Sequence, residues 1–100
     1  MKSARHHSLE TVLHRLFPRI AEQDARAIAD QAASSKGLRH ASPEAAAWLS
    51  ALSYIRHNFT DYDDLLAEGY DVDSARHFVA EQMNLVLAEW GSRRRVGGEE

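Results

Sequence analysis

Apolar side chains recur along this chain at helical spacing, and no stretch alternates as a strand would. Leu9, Val12, Leu13, Leu16 and Phe17 fall at the i, i+3, i+4, i+7 and i+8 positions of one helical stripe. Ser8 precedes them as a capping residue, and Pro18 ends the run because it disfavours helical geometry in the residue before it. The pattern predicts a first helix over 9–17. Ala21, Ala25, Ile28, Ala29 and Ala32 form a second stripe, over 21–33, before Ser34-Ser35-Lys36-Gly37 breaks it. Ser42-Pro43-Glu44 is a helix start: a capping serine, then proline where no amide donor is needed, then an acid at the positive end. The stripe Ala45, Trp48, Leu49, Leu52 and Ile55 carries that helix over 43–57. Thr60 reads as the N-cap of a short helix over 61–68, with Asp63 imitating a capping box and Gly69 just past its end. Asp71 then caps a last helix over 72–90, with Ala75, Phe78, Val79, Gln82, Met83, Val86 and Trp90 on one face and Gly91 closing it.

The expected fold is therefore all-α: about five helices and no sheet, in one domain over residues 1–91 with flexible ends at 1–7 and 92–100. A 44% hydrophobic composition excludes wholesale disorder. Sixteen of those apolar residues are alanine, and Leu, Ile, Val, Phe, Met and Trp together supply 25. Alanine favours helix but buries little surface, so the core is expected to be thin, with Trp48, Phe78 and Trp90 as its bulky members. Trp48, Tyr54, Phe59, Tyr70 and Trp90 are more aromatic surface than such a core is certain to cover; any left outside would form a patch suited to a protein partner or to self-association.

No cysteine is present, which removes disulfides, thiolate metal sites and thiol nucleophiles. No apolar run approaches the roughly 20 residues needed to cross a bilayer, and the start has no apolar leader, so a cytoplasmic protein without a membrane partner is expected. The net charge of −3 conceals an imbalance. Residues 1–60 carry eight Lys/Arg against five acids, residues 61–90 carry one Arg against eight acids, and the last ten carry three Arg against two Glu. The candidate cations for nucleic-acid binding are Arg5, Arg15, Arg19, Arg26, Lys36, Arg39 and the Arg93, Arg94, Arg95 run, and a patch would draw chiefly on Lys36, Arg39 and His40 in the second interhelical segment and on the tail arginines. A pI of about 6.0 argues against a dedicated binder and leaves this as a secondary reading.

The six histidines do not make a metal site. None pairs at i, i+4, and four follow an arginine, whose charge opposes a second cation. The acids from Asp61 to Asp73 fail the calcium-loop pattern, with Leu66 at its sixth position and Val72 at its twelfth. No metal or cofactor is expected.

The segment Arg56-His57-Asn58-Phe59-Thr60-Asp61-Tyr62-Asp63-Asp64-Leu65-Leu66-Ala67-Glu68-Gly69 concentrates the remaining chemistry. It resembles the RHxxTxYDxLLxxG block of an uncharacterised family of bacteria and fungi, domain of unknown function 2293. Leu16-Phe17-Pro18 with Ala25-Arg26-Ala27-Ile28-Ala29 is similar to that family's LFP…ARAIA segment. Ala75-Arg76 and Val86-Leu87-Ala88-Glu89-Trp90 resemble two further pieces in the same order, so the likeness spans about residues 13–91. The resemblance implies a helical domain and brings no reaction with it. Two family features differ here: the glycine- and arginine-rich loop is reduced to residues 34–40, and the cysteine-bearing N-terminal region of longer members is absent.

Within the block, His57 oriented by Asp61 or Asp63 would suit acid–base chemistry. Capping by Thr60 and Asp63, contacts from Arg56 or His57 to the end of the third helix, and packing of Tyr62 account for the same residues without catalysis. The favoured reading is a non-catalytic protein-interaction domain.

Overall fold

The computed structural model describes residues 3–97. The first helix, α1 (Ala4–Leu16), starts earlier than its apolar stripe. Ser3, not Ser8, is the cap, its hydroxyl accepting from the His6 amide at 3.1 Å. The added turn is held by partners distant in sequence. The Arg5 guanidinium donates to the Leu38 and Ala41 carbonyls at 2.9 and 3.1 Å, and His6 Nε2 lies 2.8 Å from Asp30 Oδ1. No local pattern encodes such contacts.

Helix α2 (Glu22–Ser34) follows the Pro18 corner, and α3 (Pro43–Phe59) follows a 3-10 turn at Lys36–Leu38. The Ser42 hydroxyl caps α3 by accepting from the Ala45 amide. In the packing of these three helices, α1 brings Leu9 and Leu13, while α2 and α3 bring the small residues Ala25, Ala29, Ala32, Ala46, Ala47 and Ala51, all fully buried. Without side chains beyond Cβ at these points, the helix backbones approach closely.

Helices α4 (Tyr62–Ala67) and α5 (Val72–Glu89) complete the fold, α5 lying on α3 and α4. Both end in a left-handed glycine, Gly69 with φ 104° and Gly91 with φ 84°. In each case the glycine amide bonds back three residues and the next amide five, which satisfies carbonyls left open at the helix end. Gly91 is required for a second reason: a Cβ there would stand 3.2 Å from Pro18 Cδ and 3.3 Å from Arg19 Nη1.

Around this frame the largest side chains interlock. Phe17, fully buried, stacks on Trp48 with centroids 6.1 Å apart and meets Trp90 edge-on at 5.5 Å. Arg19 clamps the end of α5 from the same corner, its amide donating to Trp90 O and its side chain to the Ala88 and Glu89 carbonyls. A cation at a helix C-terminus is well placed against the dipole.

Phe78 and the tail also depart from expectation. Phe78 is not core but 58% exposed, because α5 buries only Ala75, Val79, Met83 and Leu87. The sequence stripe was wider than the arc its neighbours cover. The residues after Gly91 also do more than trail away. Val96 is buried, its amide donating to Asn84 Oδ1 at 2.8 Å while Asn84 Nδ2 donates to Val96 O at 2.9 Å, and Arg94 lies over the Trp48 ring at 3.9 Å. Of the ends expected to be flexible, residues 1–2 and 98–100 lie outside the described residues. Among the described residues there is no strand, and no helix is long and apolar enough to cross a membrane.

One polar bond ties α2 to α3: the Tyr54 hydroxyl donates to Asp24 Oδ1 at 2.6 Å. That bond, with burial and the carboxylate's charge, pushes the Tyr54 phenol from its ordinary value of 10.0 up to about 12. Absorbance titration should resolve Tyr54 as ionising near pH 12. A folded-state pKa raised in this way means that the stabilisation is whole below about pH 10 and is lost as pH rises through about 12. Tyr54→Phe should cost about 1 kcal/mol in urea unfolding at neutral pH and little above pH 12. A chain ending at Gly91 should lose about 2 kcal/mol, the burial of Val96 and the cover over Trp48, measured the same way.

Candidate functional site

The block from Arg56 to Gly69 forms the corner where α3 hands over to α4. Thr60 makes the turn: its hydroxyl donates to the Arg56 carbonyl at the end of α3 and accepts the Tyr62 amide at 3.2 Å. Asp61, rather than Thr60, occupies the N-cap position of α4. Its amide and carboxylate are held by the Gln82 side chain, at 3.0 and 2.9 Å, which pins the corner to α5. Tyr62 turns inward and is buried, the Arg56 guanidinium 5.5 Å above its ring and the His57 imidazole edge-on at 5.3 Å. Asp63 does not complete a capping box. It reaches back to His57, with Oδ1 2.8 Å from Nδ1. Gly69 stands at the far end of α4, where its positive φ closes the helix.

Arg56, His57, Thr60, Tyr62 and Asp63 are thus brought together as the sequence grouping implied. The arrangement is that of a buttressed helix corner. His57 and Asp63 form an oriented imidazole–carboxylate pair, but their side chains are 48% and 60% exposed, and four clefts of the surface are lined by other residues. A general base needs a substrate held beside it in a concave site. Among the described residues no three His, Asp or Glu side chains gather as metal ligands would.

The cationic residues separate into two groups with different duties. The Lys36–His40 segment is an anchor. Its Leu38 carbonyl, together with that of Ala41, accepts Arg5, and Arg39 Nε bonds to the adjacent His40 ring at 3.2 Å. In the tail, Arg95 reaches Glu81 at 3.6 Å and Arg94 lies on Trp48. Arg93 and Arg94 line a cleft with Arg15, which the sequence offered as a candidate cation without placing it beside them. Tyr70, one of the aromatics the sequence left open as exposed, lies outside the core, and its edge-on pairing at 5.4 Å with Phe78, which was expected inside, was not legible. The acidic residues around it include Asp71, whose carboxyl is held below its ordinary range by the Ser74 amide it caps.

The family model described as an uncharacterised conserved protein (DUF2293) matches residues 12–91, which takes in α2 to α5 and only the last turn of α1. The chain belongs to that family. No curated protein and no solved structure matches it. The DUF2293 span covers the whole Arg56–Gly69 corner and stops at Gly91, so the tail that carries Arg93–Arg95 lies beyond it.

If the block is a structural corner, substitutions should rank by burial and backbone strain. Tyr62→Ala should cost about 3 kcal/mol, Gly69→Ala about 1 kcal/mol or more, and Asp63→Ala less than about 1 kcal/mol, all by chemical denaturation. An Asp63 effect as large as that of Tyr62 would contradict this ranking.

Proposed function

We propose that this DUF2293 chain is a non-catalytic protein-interaction module that docks through the outer face of α5. The observation that carries the reading is a second apolar stripe on that helix. Phe78 and Leu85, 58% and 67% exposed, stand seven residues apart, which is two turns on one side, while Ala75, Val79, Met83 and Leu87 occupy the side turned to the core. Tyr70 extends the stripe by packing against Phe78. Exposed large apolar residues at helical spacing on one face fit a docking helix better than a scatter of single surface residues does.

Charge supports a partner of a particular kind. Residues 61–90 carry eight acids and one arginine, and Glu68, Asp71, Asp73, Glu81 and Glu89 all lie on or beside the two elements that present the stripe. A basic amphipathic helix would place apolar residues on Phe78 and Leu85 and its cations among these carboxylates, and the complementary fields would speed encounter.

Labelled protein should be titrated with a basic amphipathic peptide and with an acidic peptide of the same apolar pattern. The basic peptide should move the backbone resonances of Tyr70, Phe78 and Leu85, and Phe78→Ser should abolish this while leaving stability within about 0.5 kcal/mol. Equal response to both peptides, or none to either, would remove the model. Sedimentation at rising concentration tests the other occupant of such a face, a second copy of the chain.

A further inference from the structure

We infer that the cleft between the Pro18 corner and the returning tail binds phosphate groups. It is lined by Arg15, Leu16, Pro18, Gly91, Ser92, Arg93 and Arg94 and encloses about 430 Å³, within the ~300–1,000 Å³ of small-ligand sites. Three guanidinium-bearing residues border it and no carboxylate does. The nearest acidic partner is Glu44, 3.9 Å from Arg15 Nη2 and at the outer limit of an ion pair. Arg93 has no carboxylate partner among the described residues. Arg95 is different: it turns away to Glu81.

The donors are arranged for capture. Arg94 lies with its guanidinium 3.9 Å from the centroid of the Trp48 ring, which fixes the plane of the group. No protein acceptor among the described residues takes any N–H of this guanidinium, so the edge of the fork is open while its face lies on the ring. Ser92 helps to set this position, its hydroxyl accepting the Arg94 amide at 3.0 Å and donating to the Arg94 carbonyl at 2.9 Å. Arg19 stands at the rim. Its Nε and Nη2 are occupied by the end of α5, and its Nη1 faces Gly91 closely enough that a Cβ would meet it at 3.3 Å.

Like charges drawn together around one cleft repel unless an anion lies between them. Guanidinium forks arriving from separate elements suit a tetrahedral, multiply charged oxyanion better than a planar, singly charged carboxylate. Phosphate is that chemistry, supplied either by a free polyphosphate or by the backbone of a nucleic-acid strand. Arg15, Arg93 and Arg94 carry the site, and the Lys36–His40 segment has no part in it.

The test follows the arginine Nε–Hε resonances of the labelled full chain, at constant ionic strength, during addition of tripolyphosphate and, separately, of a short single-stranded oligodeoxynucleotide. Tripolyphosphate is expected to shift Arg15, Arg93, Arg94 and the Gly91 and Ser92 amides. Arg93→Ala, which removes an exposed unpartnered cation, should weaken binding by about tenfold, and Arg94→Lys should weaken it although charge is kept. The double change Lys36→Ala and Arg39→Ala removes two cations elsewhere and should leave it within about twofold. An oligonucleotide that binds at least about tenfold tighter than tripolyphosphate, with the steep salt dependence of counterion release, assigns the site to a strand; one that binds no tighter assigns it to free polyphosphate. No shift at millimolar tripolyphosphate overturns the proposal, and so does equal weakening by the Lys36/Arg39 and Arg93 changes, which would mean diffuse charge alone.

Discussion

Phe17 is the contact on which the fold turns. It lies at the end of α1, beside Pro18, and its ring fills the space between Trp48 of α3 and Trp90 at the end of α5. Three helices from separate parts of the chain are joined through one fully buried side chain. The backbone reinforces the joint: Arg19, two residues on, occupies the open carbonyls of α5, and Gly91 is small enough to let the Pro18 corner approach. The buried alanines of α2 and α3 contribute little area each. A few aromatic contacts therefore bear a large share of the cohesion.

The Arg56–Gly69 block does comparable work at the other junction. A change of helix direction exposes carbonyls at the end of one helix and amides at the start of the next. Thr60 satisfies one of each, Gln82 reaches across from α5 to hold Asp61, and Tyr62 seals the corner beneath Arg56 and His57. Residue types that would also suit an active site are here engaged with one another. The chain's belonging to DUF2293 rests on a span that contains this whole corner.

Because the interior is filled by aromatic, aliphatic and alanine side chains, the chemistry left for partners lies on the surface. Its two candidate faces have opposite character. The outer side of α5 offers apolar side chains among acids, and the cleft at the α1–α2 corner gathers arginines. The tail shapes the second face by returning along α5 through Asn84 and laying Arg94 on Trp48. Without that return Arg93 and Arg94 would have no fixed relation to Arg15.

Local signals were enough for much of the architecture. Proline after Phe17, the Ser42-Pro43-Glu44 start, Asp71 as a cap and glycines at 69 and 91 all act within a few residues of themselves, and each marks the boundary its chemistry implies. The grouping of Arg56, His57, Thr60, Tyr62 and Asp63 was legible for the same reason, although which side chain capped and which paired was not. Tertiary structure decided the rest. Helix α1 gained a turn because Arg5 and His6 found Leu38, Ala41 and Asp30, residues 24 or more positions away. Phe78 went outward because burial of a helical stripe depends on the width of the neighbouring surface, which periodicity does not contain. Val96 went inward because Asn84 offered both an acceptor and a donor to a single peptide segment. The arginine cleft belongs to this second class. Periodicity and capping are written in adjacent residues, whereas convergence of Arg15 with Arg93 and Arg94 exists only after the chain has folded back on itself.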